Sequence, residues 1–371
     1  MGARSIASLL ACALLAALVA ACLLSIPWSF GKVADGGASA TTPRYAAGHP
    51  SLARIGPSWL GHDESTAQRF SGDGVPKFAM GSDLLGRSVL IRCLAGGAIS
   101  LLVGLVAAAV SVVVGTLYGS VAAFVGGATD AIMMRIVDVL YGLPYVLLVV
   151  LLAVAGDAIL SEHVSRHRER ADWIRDRVRE VAPGTDSRQA AAKWLAENPE
   201  LKSQFEVAPL AANPPRILGD RTRLIFDLST LVVAIGGVSW LTMARVIRGQ
   251  VLSLKTQPFM DAARTVGASR SRIFFRHLLP NLVGPIVVYA TLTVPQAILQ
   301  ESFLSFLGIG VKPPLPSWGN LAAEGLGELN PYRSHWWLLL FPCMLLALTL
   351  IALNVVGEMV RERLDPRSRD R

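Results

Sequence analysis

The chain has 371 residues, of which 52% are hydrophobic and only 17% charged, with a mean hydropathy of +0.47 and a formal net charge of +8. So apolar a composition excludes an ordinary soluble protein of this length and places the chain in a lipid bilayer. The positive charges flank apolar stretches and form no basic stripe interleaved with aromatics, so they read as topology signals and no nucleic-acid partner is expected.

A membrane-crossing helix needs roughly 20 mostly apolar residues. Six stretches meet that length, at about 6–26, 96–124, 131–159, 225–247, 283–307 and 336–357. The first lies in the N-terminal segment 1–27 and contains Val19-Ala20-Ala21-Cys22, which resembles the cleavage and lipidation site of a bacterial lipoprotein. The apolar run continues through Leu23, Leu24 and Ile26 to Pro27, which favours a retained first helix. Cys12, Cys22, Cys93 and Cys343 are scattered in or beside apolar segments, so neither a disulfide framework nor a metal site is expected.

Residues 28–95 are rich in Gly, Pro, Ser and Ala and end in Asp83–Arg92, either an amphipathic turn or helix at the membrane surface or a plain lead-in to the second span. Spans two and three fill 96–159, and where the third begins, Arg135 and Asp138 stand three apart, a spacing that lets them pair on one helix face. The competing reading is a proton relay in an ion-driven secondary transporter, but the pair lies at an interfacial end, where charges are tolerated. Glu301, near the outer end of span five, is read in the same way. Pro144, Pro285 and Pro295 interrupt spans and are expected to kink them.

Residues 160–224 are dense in alternating charge, and Trp173, Ile174, Val178 and Val181, then Ala190, Ala191, Trp194 and Leu195 before Pro199, recur at helical spacing. A polar helical insertion between spans three and four is expected, with a solvated cap over the outer mouth as its default role. Glu162, His163 and His167 make only an incomplete metal set, and a solvated helix face is the preferred reading.

Spans four to six occupy 225–358. The loop between spans four and five, 248–282 with its flanks, carries Arg245, Arg248, Lys255, Arg264, Arg270, Arg272 and Arg276, whereas the loop between spans five and six has Lys312 and Arg333. The basic loop is therefore expected in the cytoplasm, together with the tail 359–371 and, after six spans, the N-terminus. Residues 28–95 and 160–224 then fall outside. Within the loop, Pro258 suits a first helical turn and Gly267 a C-terminal cap, which predicts a short self-contained helix. Asp261 sits near its positive end, and Ala262 and Ala263 offer a surface with almost no side chain, which another backbone could approach. A second helix is expected from a Ser269 cap, with Ile273, Phe274, His277 and Leu278 on one side and Pro280-Asn281 ending it. Such a helix, glycine break and helix is shaped to carry mechanical work from another protein.

Catalytic motifs are missing. The only Gly-Lys pair, Gly31-Lys32, is followed by Val33, so no phosphate-cradling loop exists, and neither a His-Glu-x-x-His helix nor a G-x-S-x-G elbow occurs. A non-catalytic chain without cofactors is expected, its energy supplied by a partner.

Residues 79–159 and 224–368 resemble the inner-membrane permease subunits of bacterial ABC importers in the dipeptide, oligopeptide and nickel family, the second oligopeptide permease type nearest. Four stretches carry the resemblance: DAARTVGASRSRIFFRHLLPN from Asp261, ESFLSFLGIGVKPPLPSWGN from Glu301, MGSDLLGRSVLIR from Met80 and MMRIVDVLYGLP from Met133. The resemblance implies an all-α integral membrane protein of six transmembrane helices with the type I ABC importer permease fold, in the bacterial inner membrane. It also implies that the loop is a coupling helix for an ATPase, which maps onto Asp261, Ala262, Ala263, Gly267, Ile273, His277, Leu279, Pro280 and Asn281. Implied partners are a homologous permease subunit, two cytoplasmic ATPase subunits that bind the ATP, an extracytoplasmic substrate-binding protein and membrane lipid. The implied cargo is peptides, with nickel or another small solute as the alternative. Asp261 replaces the family's usual glutamate, Ser82 and Ser88 replace its threonine and aspartate, and the 160–224 insertion matches nothing in it.

Overall fold

The computed structural model describes residues 3–34, 41–61, 64–70, 74–182, 184, 187–198, 220–329 and 334–364. The helices are α1 (Ala3–Leu24), α2 (Ile26–Ser29), α3 (Glu64–Arg69), α4 (Val89–Val125), α5 (Gly127–Tyr141), α6 (Tyr145–Val181), α7 (Arg188–Glu197), α8 (Asp220–Lys255), α9 (Pro258–Thr265), α10 (Arg270–Phe306), α11 (Trp318–Gly327) and α12 (Trp337–Leu364). Among the described residues, α1 with α2, α4, α8, α10 and α12 are long and apolar enough to cross a membrane, and α5 with the start of α6 makes a sixth candidate as a bent pair. Among the described residues one two-stranded antiparallel ribbon pairs β1 (Lys32–Ala34) with β2 (Thr41–Pro43), Val33 facing Thr42. The chain falls into two compact units, Met1–Leu151 with Leu231–Arg371, and Leu152–Thr230.

In the larger unit α4 is the axis. Small residues let its neighbours come close: a side chain at Gly104 would strike Ile298 on α10, and at Gly115 and Gly119 would strike Met243 and the Ala244 carbonyl on α8. The stretch expected as one span at 131–159 is two helices, because Gly142-Leu143-Pro144 breaks it. Proline has no N–H to continue the ladder and pushes the preceding residue out of the helical region. Pro285 and Pro295, by contrast, sit inside an unbroken α10.

Residues 83–92 lead into the second span. They make a tight turn at Gly86 (φ +75°) and then the first turn of α4 itself. Asp83 Oδ1 accepts from the backbone N–H groups of Leu85 and Arg87, both at 2.9 Å, while Oδ2 accepts from Arg87 Nε and Arg92 Nη1, both at 2.6 Å. Arg92, only 3% exposed, also reaches Glu324 on α11, Nη2 to Oε1 at 2.9 Å. Ser82 is fully buried, accepts from the Ile55 N–H at 2.8 Å and donates to the Leu52 carbonyl at 2.5 Å, so the hydroxyl has a defined partner on each side. Its neighbour in the isolated bridge, Ser88, precedes α4 without a side-chain cap bond.

α11 is a helix inside what the sequence offered as a loop. Ser317 and Asn320 form a capping box, Asn320 N–H to Ser317 Oγ at 3.3 Å and Ser317 N–H to Asn320 Oδ1 at 2.8 Å. Trp318 is fully buried and donates from Nε1 to the Cys93 carbonyl of α4 at 3.0 Å. Glu301 is completely buried, and Ser305 Oγ (2.7 Å) and Ser302 Oγ (3.2 Å) donate to its carboxyl oxygens. At the far end of α11, Arg54 Nε donates to Glu328 at 2.8 Å and His335 Nδ1 lies 3.1 Å from the same oxygen. The Arg54 hydrogen bond holds the Glu328 carboxyl below its ordinary range.

The smaller unit has its own core. Val178 of α6 packs with Ala191 and Leu195 of α7, flanked by Ile174, Ala182 and Trp194, and Ser187 caps α7 by accepting from the Ala190 N–H at 3.0 Å. The helical spacing read at Ile174, Val178, Ala191, Trp194 and Leu195 marks this core. The side chains of Glu162, His163, His167 and Trp173, and residues 199–219, lie outside the described ones. No group of three metal-ligating side chains occurs among those described.

Candidate functional site

The segment joining α8 to α10 builds one compact projection. α9 begins where Pro258, whose missing N–H would be unused in a first turn, follows an extended Gln257. It ends in a Schellman motif: the Gly267 N–H bonds to the Arg264 carbonyl at 2.9 Å and the Ala268 N–H to the Ala263 carbonyl at 3.1 Å. Gly267 takes φ +76°, a conformation that costs a side-chain-bearing residue about 1 kcal/mol or more. Inside the helix Arg264 Nη1 pairs with Asp261 Oδ1 at 3.0 Å and Thr265 Oγ1 donates to the Asp261 carbonyl at 2.9 Å.

One face of α9 anchors it. Met260 is fully buried and joins a cluster with Ala123 of α4, Met243, Ile247 and Val251 of α8, and Ile273, Leu278 and Leu282 of α10. Ala263 and Ala268 pack against the edge of this cluster, so Ala263 turns inward and only Ala262 contributes to the open low-relief surface. The other face is bare: Asp261, Ala262 and Gly267 are exposed, and Val266 is 86% exposed.

α10 starts at Arg270, where Ser269 Oγ accepts from the Arg272 N–H at 3.3 Å. Pro280-Asn281 does not end it. Residues 273–278 widen into a π-helical turn, in which the Leu279 N–H reaches back to the Phe274 carbonyl, and the helix runs on to Phe306. The wider turn gives room for the proline ring, and Asn281 Nδ2 donates to the His277 carbonyl at 2.7 Å. Ile273 is therefore a buried anchor, His277 and Leu279 are half-buried, and Pro280 and Asn281 are exposed on the flank. The nine residues singled out in the loop thus divide into a buried or half-buried set (Ala263, Ile273, His277 and Leu279) and an exposed set (Asp261, Ala262, Gly267, Pro280 and Asn281). Sequence reasoning missed Met260 as the anchor and Val266 as an exposed apolar tip, although Val266 falls outside the row set by Met260 and Ala263.

The basic residues of α8 are more than topology signals. Arg248 Nε and Nη2 meet both oxygens of Asp130 on α5 at 2.7 Å each. Arg245 Nη2 meets Asp138 Oδ1 at 2.8 Å, with its guanidinium 3.9 Å from the Tyr141 ring. The expected Arg135–Asp138 pair does not form: Arg135 is exposed, and Asp138 reaches across to α8 instead. A pair between helices outcompetes the one within α5 because Arg gains the Tyr141 face as well.

A bundle of apolar helices that presents a capped, exposed helix on the loop between two spans makes a membrane-embedded body with a contact surface on that loop. The chain belongs to the family of binding-protein-dependent transport system inner membrane components, whose model matches residues 111–370. It is 36% identical over 321 residues to the dipeptide transport system permease protein DppC of Bacillus subtilis (strain 168), covering 86% of this chain and 78% of that one. It is 34% identical over 320 residues to the oligopeptide transport system permease protein OppC of the same organism, 86% of this chain and 82% of that one. To OppC of Escherichia coli (strain K12) it is 40% identical over 291 residues, 78% and 72% of the two chains.

Proposed function

We propose that the chain is one permease subunit of an ATP-driven peptide importer and that α9 is the helix through which cytoplasmic ATPase subunits move it. A peptide carries unpaired amides and charged termini, each costing several kcal/mol in hydrocarbon, so it needs a protein-lined route. The route lies between this chain and a homologous permease subunit, with two ATPases beneath and an extracytoplasmic binding protein that delivers cargo. Both termini face the cytoplasm with α9. The relatives named above are peptide permeases, which favours peptides over nickel or another small solute.

One observation carries the role of α9: a helix of eight residues, closed by its own cap and seated on a buried methionine, leaves Asp261, Ala262 and Val266 open to a partner. ATP-driven closure of the ATPases would displace this helix and switch the spans between inward- and outward-open arrangements. The relatives' permease family, and not the Arg245–Asp138 pair at 2.8 Å, weighs against the secondary-transporter reading. Replacing Gly267 with valine in the complete importer is expected to leave assembly intact and uncouple peptide uptake from ATP hydrolysis in proteoliposomes. Unchanged uptake per ATP would remove the coupling role, and uphill uptake by the chain without ATPase subunits would remove the importer class.

A further inference from the structure

The chain turns from α4 into α5 through two glycines, Gly126 at φ +73° and Gly127 at φ +58°. Two successive left-handed glycines make a corner with little backbone resistance to bending. Both arms of this corner are gripped by α8. On the α4 side, Lys255 Nζ donates to the Ala123 carbonyl at 2.9 Å and the Phe124 carbonyl at 3.3 Å, two carbonyls of the last helical turn that lack helical partners. On the α5 side, Arg248 meets Asp130 as a two-bond fork in the first turn of the helix, where an acid is favoured, and Arg245 meets Asp138 two turns further on.

Arg248 and Lys255 are seven residues apart, so two turns of α8 bring them to one stripe, and Arg245 stands one turn before. Three residues after Lys255 the chain enters α9. We infer that Arg245, Arg248 and Lys255 are positioning residues that carry a displacement of α9 to the α4–α5 corner, with the Arg248–Asp130 fork fixing its angle. The inference rests on the coupling role proposed for α9. A fork constrains both distance and orientation, whereas a lysine in the place of Arg248 would keep the charge and lose the orientation.

The test uses the complete importer in proteoliposomes and reads ATP hydrolysed per peptide imported. Asp130→Asn and Arg248→Lys are each expected to raise that ratio about fivefold, while the exchanged pair Asp130→Arg with Arg248→Asp returns it toward the native value, the signature of direct coupling between two sites. A ratio unmoved by either single change overturns the inference. Spin labels at the exposed Ile132 and at Arg264, which is exposed on α9 but off the Asp261, Ala262 and Val266 face, give a second readout that does not depend on transport. Their separation is expected to stay constant between nucleotide-free and ATP-bound importer and to broaden in Asp130→Asn. A separation that changes between the two states in the native background also overturns it. If Gly267→Val uncouples and the Asp130 and Arg248 changes do not, the grip falls and the docking role of α9 stands. If Gly267→Val has no effect, the docking role falls and the label separation alone decides the grip.

Discussion

The α11 end and the α9 end of the same helical body are both held by charge, in different environments. At the α11 end Arg92 and Asp83 have side chains 3% and 5% exposed, tied to each other and to Glu324, and the Glu301 carboxyl is sealed among serine hydroxyls. At the α9 end the Arg248–Asp130 pair is 36% and 15% exposed and the Arg245–Asp138 pair 36% and 56%. A buried pair cannot be separated without stranding a charge, so the α11 end is built to stay closed on itself. The half-exposed pairs contribute less energy and more geometry, since water can take either partner if they part. The first arrangement suits a fixed plug and the second a joint that moves as a body.

The sharpest way to break that contrast is at Arg92. Arg92→Ala leaves the buried Asp83 with only Arg87 as a cation, strips Glu324 of its Arg92 partner, and is expected to destabilise the fold by about 3 kcal/mol, read as a lowered unfolding temperature in detergent. A loss no larger than that of Arg245→Ala would mean that the two ends are held alike. Next in size is Met260→Ala, which empties the anchor of α9 and is expected to cost about 2–5 kcal/mol locally. Faster hydrogen exchange confined to the amides of residues 258–268, with exchange in α11 unchanged, would confirm that α9 is a separately seated part. The smallest effect concerns Glu328, whose carboxyl pKa is lowered from 4.5 by its bond to Arg54. A group depressed in the folded state adds stability above its unfolded pKa and loses it as pH falls through the folded one. Stability measured down through pH 4.5 should therefore fall by less than about 1 kcal/mol from this contact, since Arg54 is half exposed, and Glu328→Gln should remove that slope.

How far the sequence reveals each part depends on the range of the forces involved. The start and stop of α9 are legible at Pro258 and Gly267 because helix caps are made of bonds between residues three to five apart. The same locality made α11 detectable in principle from Ser317-x-x-Asn320, although ten residues with three glycines fall short of a span and read as loop. Pro280 misleads for the opposite reason: its local preference is to stop a helix, and the π turn at 273–278 that accommodates it is stabilised by the packing of Ile273 and Leu278. Which way Ala263 faces, and how deeply Glu301 is buried, are likewise decided by tertiary neighbours.

From the residues alone come membrane residence, an all-helical body, the local signals that bound α9 and the want of a catalytic motif, all of which follow from composition and short-range bonding. Only the tertiary structure decided that Asp138 pairs with Arg245 and not with Arg135, that Asp130 and Arg248 meet across 118 positions of chain, and that Arg92 reaches Glu324 across 232. Coulomb attraction and packing depend on distance in space, and for residues so far apart in sequence that distance exists only once the helices have assembled.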